Sequence, residues 1–279
     1  MSPASESPQP LSSNGRTEGG SGAGTSATPL LSLRGISKNF GAVQAMQDVD
    51  LDIVDAKVTA LIGDNGAGKS TLIKTISGIW PPSSGQVYWR GKEVKIHTPR
   101  DASDLGIATV YQDLALCDNL DIVQNMFLGR EETRFGLLDE IKMELATNQT
   151  LKDLSVSTVK SVRQVVGSLS GGQRQAVAVA RAVMRESQLV ILDEPTAALG
   201  VSQTAQVLEL IRTLSSRGIA VLVISHNLND VFSVADRIAV MHLGALVSSG
   251  PITDYDTASA VELITTGQSD RVPSSRTAV

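Results

Sequence analysis

A single cysteine, Cys117, stands in 279 residues, so no disulfide can form within the chain. Without a CxxC pair, neither a thiolate zinc site nor a dithiol redox centre is expected. A reducing, cytosolic compartment fits this best. Positive charge is also short. Lys and Arg number 24 against 29 Asp and Glu, for a net charge of -5, which leaves no overall basic surface for a phosphodiester backbone. Nucleic acid is not expected as a partner. No run approaches the roughly 20 apolar residues of a spanning helix, and the start of the chain lacks the basic and apolar segments of a secretion signal. The chain is expected neither to span a membrane nor to be secreted. No internal repeat is found.

What is present is a core. Apolar residues make up 42% of the chain, ample for one large domain. Residues 1–28 are dominated by Ser, Gly, Pro and Thr, with too little to bury against the entropy of ordering, and read as a disordered tail. Residues 269–279 read the same way, which leaves one domain over 29–268.

Within it, Val58 to Ile62, Ile107 to Tyr111, Leu189 to Leu192 and Ala220 to Ile224 are short apolar runs without polar alternation. Such runs suit strands buried on both faces of a mainly parallel sheet. Helical stretches separate them: Ser70 to Ile79, Gln173 to Arg185, and Ser202 to Arg217, the last expected to be capped by Ser202 and stopped by Gly218. The class is α/β. Residues from about 114 to 185 lack strand runs and read as an inserted helical subdomain. Leu30 to Ser37, Ala45 to Ile53 and Gln86 to Val94 alternate more and read as a small antiparallel sheet.

The chemistry concentrates in a few segments. Gly63, Asp64, Asn65, Gly66, Ala67, Gly68, Lys69, Ser70 and Thr71 match GxxxxGK followed by Ser, directly after an apolar run and at the start of a helix. Glycines let such a loop turn its N–H groups inward, and the helix N-terminus adds positive potential. Lys69 can then reach terminal phosphates, while the Ser70 hydroxyl suits Mg²⁺. The run Leu189 to Leu192 ends in Asp193 and Glu194, placing two carboxylates at the carboxyl edge of a buried strand, where open α/β sheets bind ligands. There Asp193 would serve the Mg²⁺ shell and Glu194 would orient water toward a γ-phosphate. By itself such a pair would sooner be read as capping the turn at Pro195; paired with the glycine-lysine loop it is not. The sequence Leu169-Ser170-Gly171-Gly172-Gln173 opens a helix, and taken alone it reads as Ser170 capping that helix.

In order along the chain, the glycine-lysine loop, Gln112 after a strand, LSGGQ, the acidic strand end and Ser225-His226 resemble the ATP-binding cassette (ABC) ATPases, over about Leu30 to Gly267. The resemblance implies a RecA-like, mainly parallel core with a small antiparallel β subdomain and an inserted helical subdomain. It also implies ATP and Mg²⁺ as cofactors. Gln112 would sense Mg²⁺ and link the core to the helical subdomain, and His226 would contact the γ-phosphate. Phe40 would stack on adenine, and Ser170, Gly171, Gly172 and Gln173 would face the nucleotide of a second subunit in a head-to-tail homodimer with two composite sites. Each residue has a plainer alternative: a surface glutamine, a capping histidine, a core aromatic.

The stretches Asp193 to Val201, Ile224 to Asn227 and Asn125 to Arg130 look like those of cassettes that import ribose, xylose or fructose. The resemblance therefore implies a peripheral subunit at the cytoplasmic face of the cell membrane. It would work beneath permease subunits, and indirectly with an extracytoplasmic sugar-binding protein. Another ABC transporter, an exporter included, stays open. So does a soluble repair or translation ATPase, although neither a heptad-rich insertion nor a second cassette is present. One departure stands out: the loop after the acidic strand usually carries an Asp where this chain has Gly200. Glycine there is expected to act as a hinge or cap, free to take positive φ, and to leave the two sites of the dimer less tightly coupled.

Overall fold

The computed structural model describes residues 28–184 and 186–272. The expected tails fall mostly outside that range, as does Arg185, where the helix from Gln173 was expected to end. Of the C-terminal stretch, the Ser269 hydroxyl donates to Glu262 at 2.7 Å and Val272 packs against the core.

Along the chain run β1 Leu31–Phe40, β2 Val43–Ile53, β3 Val58–Gly63, α1 Lys69–Ile76, β4 Ser84–Trp89, β5 Lys92–Val94, α2 Pro99–Asp104 and β6 Ile107–Val110. There follow α3 Ile122–Phe127, β7 Thr133–Arg134, β8 Leu137–Leu138, α4 Glu140–Asp153 and α5 Gly171–Val183. The last part holds β9 Leu189–Asp193, α6 Val201–Ser216, β10 Ala220–Ile224, α7 Leu228–Val234, β11 Arg237–His242, β12 Ala245–Pro251 and α8 Thr257–Thr266.

The four expected apolar runs are parallel neighbours in a six-stranded sheet of order β12-β11-β3-β10-β9-β6. Their alternate residues divide between two cores. Val58, Ala60 and Ile62 of β3 join one cluster with the buried faces of α5 and α6, whereas Leu61 joins the other, beneath the antiparallel sheet. Both faces of these strands are covered, which is why their sequences are continuous and not alternating. Each fully buried Val, Leu or Ile contributes about 1.5–3 kcal/mol relative to exposure. The second sheet, of order β2-β1-β4-β5, is antiparallel throughout.

Several expectations are corrected. Arg237 to Pro251 was not read as strand, yet β11 lies parallel to β3 and turns at Leu243 and Gly244, both at positive φ, into the antiparallel edge strand β12. The segment from 114 to 185 is not wholly helical, because β7 and β8 form a hairpin between α3 and α4. α1 stops at Ile76, short of Ile79, since Gly78 at φ 73° breaks the helix where a Cβ would strike the Thr98 carbonyl. α6 begins at Val201 with Gly200 as its N-cap and no side-chain cap, so Ser202 lies inside the helix. Gly200 has φ of -73° and does not use the positive-φ freedom expected of it.

Candidate functional site

Strand order determines what meets at the carboxyl edge. Because β6, β9, β10 and β3 are adjacent and parallel, Gln112, the Asp193-Glu194 pair, His226 and the glycine-lysine loop emerge from four neighbouring strand ends. The register is tight: Ile224 pairs with both Asp193 and Leu61 across the two ladders of β10.

The loop from Gly63 to Gly68 folds around Lys69, whose ammonium donates to the carbonyls of Gly63 at 2.7 Å and Asp64 at 2.9 Å. Gly63 passes so close to β11 that a Cβ would lie 2.4 Å from the Met241 carbonyl. Gly68 caps α1 at φ 101° with no side-chain cap, leaving the first N–H groups of the helix without a side-chain acceptor and oriented for an anion. Asn65 through Thr71, Gln112, Asp193 and Glu194 line one cavity of about 550 Å³, within the roughly 300–1,000 Å³ usual for small-molecule sites. Val43, Gln44 and Ala45 from β2 and the turn residues Leu243 and Gly244 complete its wall. Sequence reasoning missed these. Their only signal is the Leu-Gly turn after the apolar run of β11.

Electrostatics in the cavity are strained by burial. The Lys69 pKa is lowered by desolvation, against the opposing pull of Glu194, Asp64 and Asp193. Desolvation, helped by neighbouring Glu194, pushes the Asp193 carboxyl up, while Lys69 and Lys74 oppose the shift. Among the described residues no cluster of three His, Cys, Asp or Glu side chains could hold a metal. Ser70, Gln112 and Asp193 are instead hard oxygen donors on one cavity wall, the sparse set that suits a Mg²⁺ held largely through phosphate oxygens.

Glu194 takes φ of 50°, a left-handed conformation that costs a non-glycine residue on the order of 1–3 kcal/mol. Its N–H donates to the Ile224 carbonyl at 3.0 Å, and its Oε2 lies 2.7 Å from His226 Nδ1. The glutamate side chain is 18% exposed and the histidine 72%; Glu194 lines the cavity, whereas His226 is not among its lining residues.

Ser170, Gly171, Gly172 and Gln173 do not line the cavity of their own chain. Ser170 and Gln173 form a reciprocal capping box: Ser170 Oγ accepts from the Gln173 N–H at 3.3 Å and Gln173 Oε1 accepts from the Ser170 N–H at 2.9 Å. The plain capping reading is therefore true locally, while Ser170 and Gly171 remain exposed at the head of α5. A Cβ on Gly172 would meet Gln203 Cβ at 3.0 Å, so this glycine also permits the close approach of α6, whereas one on Gly171 would meet the end of the Leu199 side chain, just before α6, at 2.8 Å. Phe40 ends β1 half-exposed, edge-on to Trp80 with centroids 4.8 Å apart. It lies outside the cavity wall, although Val43, just beyond it, belongs to that wall.

A parallel α/β sheet with a phosphate-type loop on one strand and carboxylates on its neighbour defines a nucleotide-binding cassette. Residues 46–197 match the family described as ABC transporter, and the chain belongs to that family. The chain is 45% identical over 244 residues to the fructose import ATP-binding protein FrcA of Rhizobium meliloti, covering 85% of this chain and 94% of the relative. It is 47% identical to the xylose/arabinose import ATP-binding protein XylG of Sulfolobus acidocaldarius, over 78% of this chain and 86% of the relative. It is 40% identical to the ribose import ATP-binding protein RbsA 3 of Rubrobacter xylanophilus, of which it spans 47%. A nucleotide-free ATP-binding cassette from an ABC transporter superposes with a TM-score of 0.72 at 27% identity, over 80% of this chain and 91% of that one. The ADP conformation of MJ1267, an ATP-binding cassette of an ABC transporter, gives 0.72 at 26% identity, over 85% and 95%.

Proposed function

We propose that the chain binds and hydrolyses ATP at the carboxyl edge of its parallel sheet and uses the energy to drive uptake of a monosaccharide through separate permease subunits. The observation that carries the ATPase is the convergence of Lys69, Asp193 and Glu194 on one cavity, with His226 2.7 Å from Glu194. The sugar is carried by relatives named for fructose and xylose/arabinose import that match along most of their length.

In this reading the loop N–H groups and Lys69 hold the phosphates. Lys69 exchanges its carbonyl partners for phosphate oxygens, which repairs the desolvation that lowers its pKa. Ser70, Gln112 and Asp193 would hold Mg²⁺, which when bound would supply charge neutralisation at the phosphoryl group. Glu194 orients and deprotonates the attacking water, and His226 steadies the γ-phosphate. Phe40 offers its exposed ring to the adenine. Ser170, Gly171, Gly172 and Gln173 act across a head-to-tail homodimer, with the head of α5 aimed at the γ-phosphate of the partner's nucleotide. Closure is then favoured only while that charge is present.

A cleft of about 230 Å³ between β6, α2 and α5, lined by Ser77, Ser103, Tyr111 and Arg181, ends one residue before Gln112. A permease segment seated there would bear directly on the loop that carries Gln112. The assembly sits at the cytoplasmic face of the membrane, with a sugar-binding protein delivering substrate from the other side. The test is uptake of labelled fructose, xylose and ribose into vesicles that contain the chain and its permease. ATP-dependent uptake of at least one, lost with Lys69→Ala, is expected. ATP hydrolysis with efflux but no uptake would overturn the import reading.

A further inference from the structure

A second side-chain bond runs parallel to the pair of Glu194 and His226. Thr196 Oγ1 donates to Asp230 Oδ2 at 2.7 Å, and Asp230 is only 9% exposed. Thr196 lies two residues after Glu194, and Asp230 lies four residues after His226 on α7, so both bonds join the same two segments. The segment from Ser225 is itself braced. Ser225 Oγ accepts from the Asn227 N–H at 3.0 Å, and Asn227 Oδ1 accepts from the Asn229 N–H at 3.1 Å at the head of α7. On the other side, the Ala197 N–H donates to the Glu194 carbonyl at 3.1 Å. The result is a closed ring of covalent chain, one side-chain hydrogen bond and one 2.7 Å imidazole–carboxylate contact around Glu194, a residue whose left-handed backbone would relax if the loop were free.

We propose that Asp230 is a positioning residue for the reaction: through Thr196 it holds the loop that presents the Glu194 carboxylate to His226 and the cavity. A charged acceptor suits the task, because a hydroxyl bonded to a buried carboxylate is shorter and stronger than a neutral pair. Neither side chain lines the cavity, so the effect falls on presentation of the base and leaves nucleotide affinity alone. This inference rests on Glu194 being the catalytic base.

The test compares Thr196→Val, Asp230→Ala, the double variant, and the conservative Thr196→Ser and Asp230→Asn, each assayed for kcat, KM and ATP affinity well below its melting temperature. Either disruptive variant should lower kcat about tenfold, about 1.4 kcal/mol on the barrier, with ATP affinity unchanged. The double variant should be no worse than the worse single one, because both remove one bond. Thr196→Ser and Asp230→Asn, which keep a donor and an acceptor, should recover most of the rate. Thr196→Val is nearly isosteric and keeps the test open if Asp230→Ala fails to fold. Wild-type kcat in Thr196→Val, losses that multiply in the double variant, or ATP affinity falling in step with kcat would each overturn the proposal. A wild-type protein without ATPase activity would instead overturn the function assigned above.

Discussion

His226 Nδ1 and Glu194 Oε2 lie 2.7 Å apart across the ends of adjacent strands β10 and β9. The contact joins the residue proposed to activate water with the residue proposed to hold the γ-phosphate. Glu194 makes this contact from a left-handed backbone at φ 50° while its side chain lines the cavity.

Glu194→Gln keeps the cradle and an acceptor for His226 but cannot take a proton. ATP affinity should stay within about twofold, while turnover falls by about 10²–10⁴, the usual contribution of a positioned base. Nucleotide binding and phosphate release measured on one preparation check this. Wild-type turnover would remove Glu194 from the catalytic role.

Asp193 gives a prediction about stability and pH. Burial raises its folded pKa above the ordinary carboxylate range, so its favourable contribution is complete below the unfolded pKa and lost as pH rises through the raised one. Near neutral pH the ionised carboxylate weakens the nucleotide-free fold. Asp193→Asn should therefore melt higher than wild type at pH 7, and the gap should close as pH falls toward 4. The same variant should lose the extra stabilisation that Mg²⁺ with ATP gives the wild type. Thermal melts across pH, with and without Mg²⁺ and ATP, measure both effects. A variant that melts lower at pH 7 would show that Asp193 stabilises the free protein.

The proposed composite sites predict complementation. A Lys69→Ala chain lacks its own cradle and a Ser170→Arg chain blocks its partner's. Mixed together, they should restore one working site per heterodimer. Activity that stays absent while heterodimers demonstrably form would exclude either the head-to-tail arrangement or the role of Ser170. Gly171→Ala sharpens the point. Its Cβ would press only on the end of the flexible Leu199 side chain, with Gln203 Oε1 at an ordinary 3.7 Å, so the variant should fold normally and lose activity through crowding of the partner's nucleotide.

Chemistry written in short contiguous segments was legible without coordinates. The cradle from Gly63 to Thr71 and the carboxylates after Leu192 follow from local spacing, and the four apolar runs fix a buried parallel sheet because both faces must be covered. What depends on tertiary contact was not legible. Nothing local says that Asp230 meets Thr196, or that Leu243 and Gly244 close the cavity. The edge hairpin of β11 and β12 was missed because Ala245 to Pro251 mixes small and polar residues on a strand with one open edge. The start of α6 was misplaced for a related reason. Serine is the stronger capping residue, yet Val201 already takes helical geometry and Gly200 occupies the cap with nothing to satisfy the first N–H groups.

That empty cap makes Gly200→Asp informative. A glycine needed for positive φ would make any side chain disruptive, but Gly200 sits at φ -73° and ψ 162°, and a Cβ there would meet nothing within 4 Å. An Asp at this N-cap can accept from the N–H of Ser202 or Gln203 and complements the helix dipole, a gain of a few tenths of a kcal/mol over glycine. The folded protein should therefore melt slightly higher, with its ATPase retained. In the dimer, the new carboxylate would extend from the loop that follows Glu194 toward the partner's phosphate loop and tie the two sites together. The Hill coefficient for ATP should then rise without a large change in maximal rate. A higher melting temperature with an unchanged Hill coefficient would leave the cap intact and rule out the coupling role. Loss of hydrolysis in a folded protein that still binds ATP would mean that the residue touches the partner in a way only glycine allows.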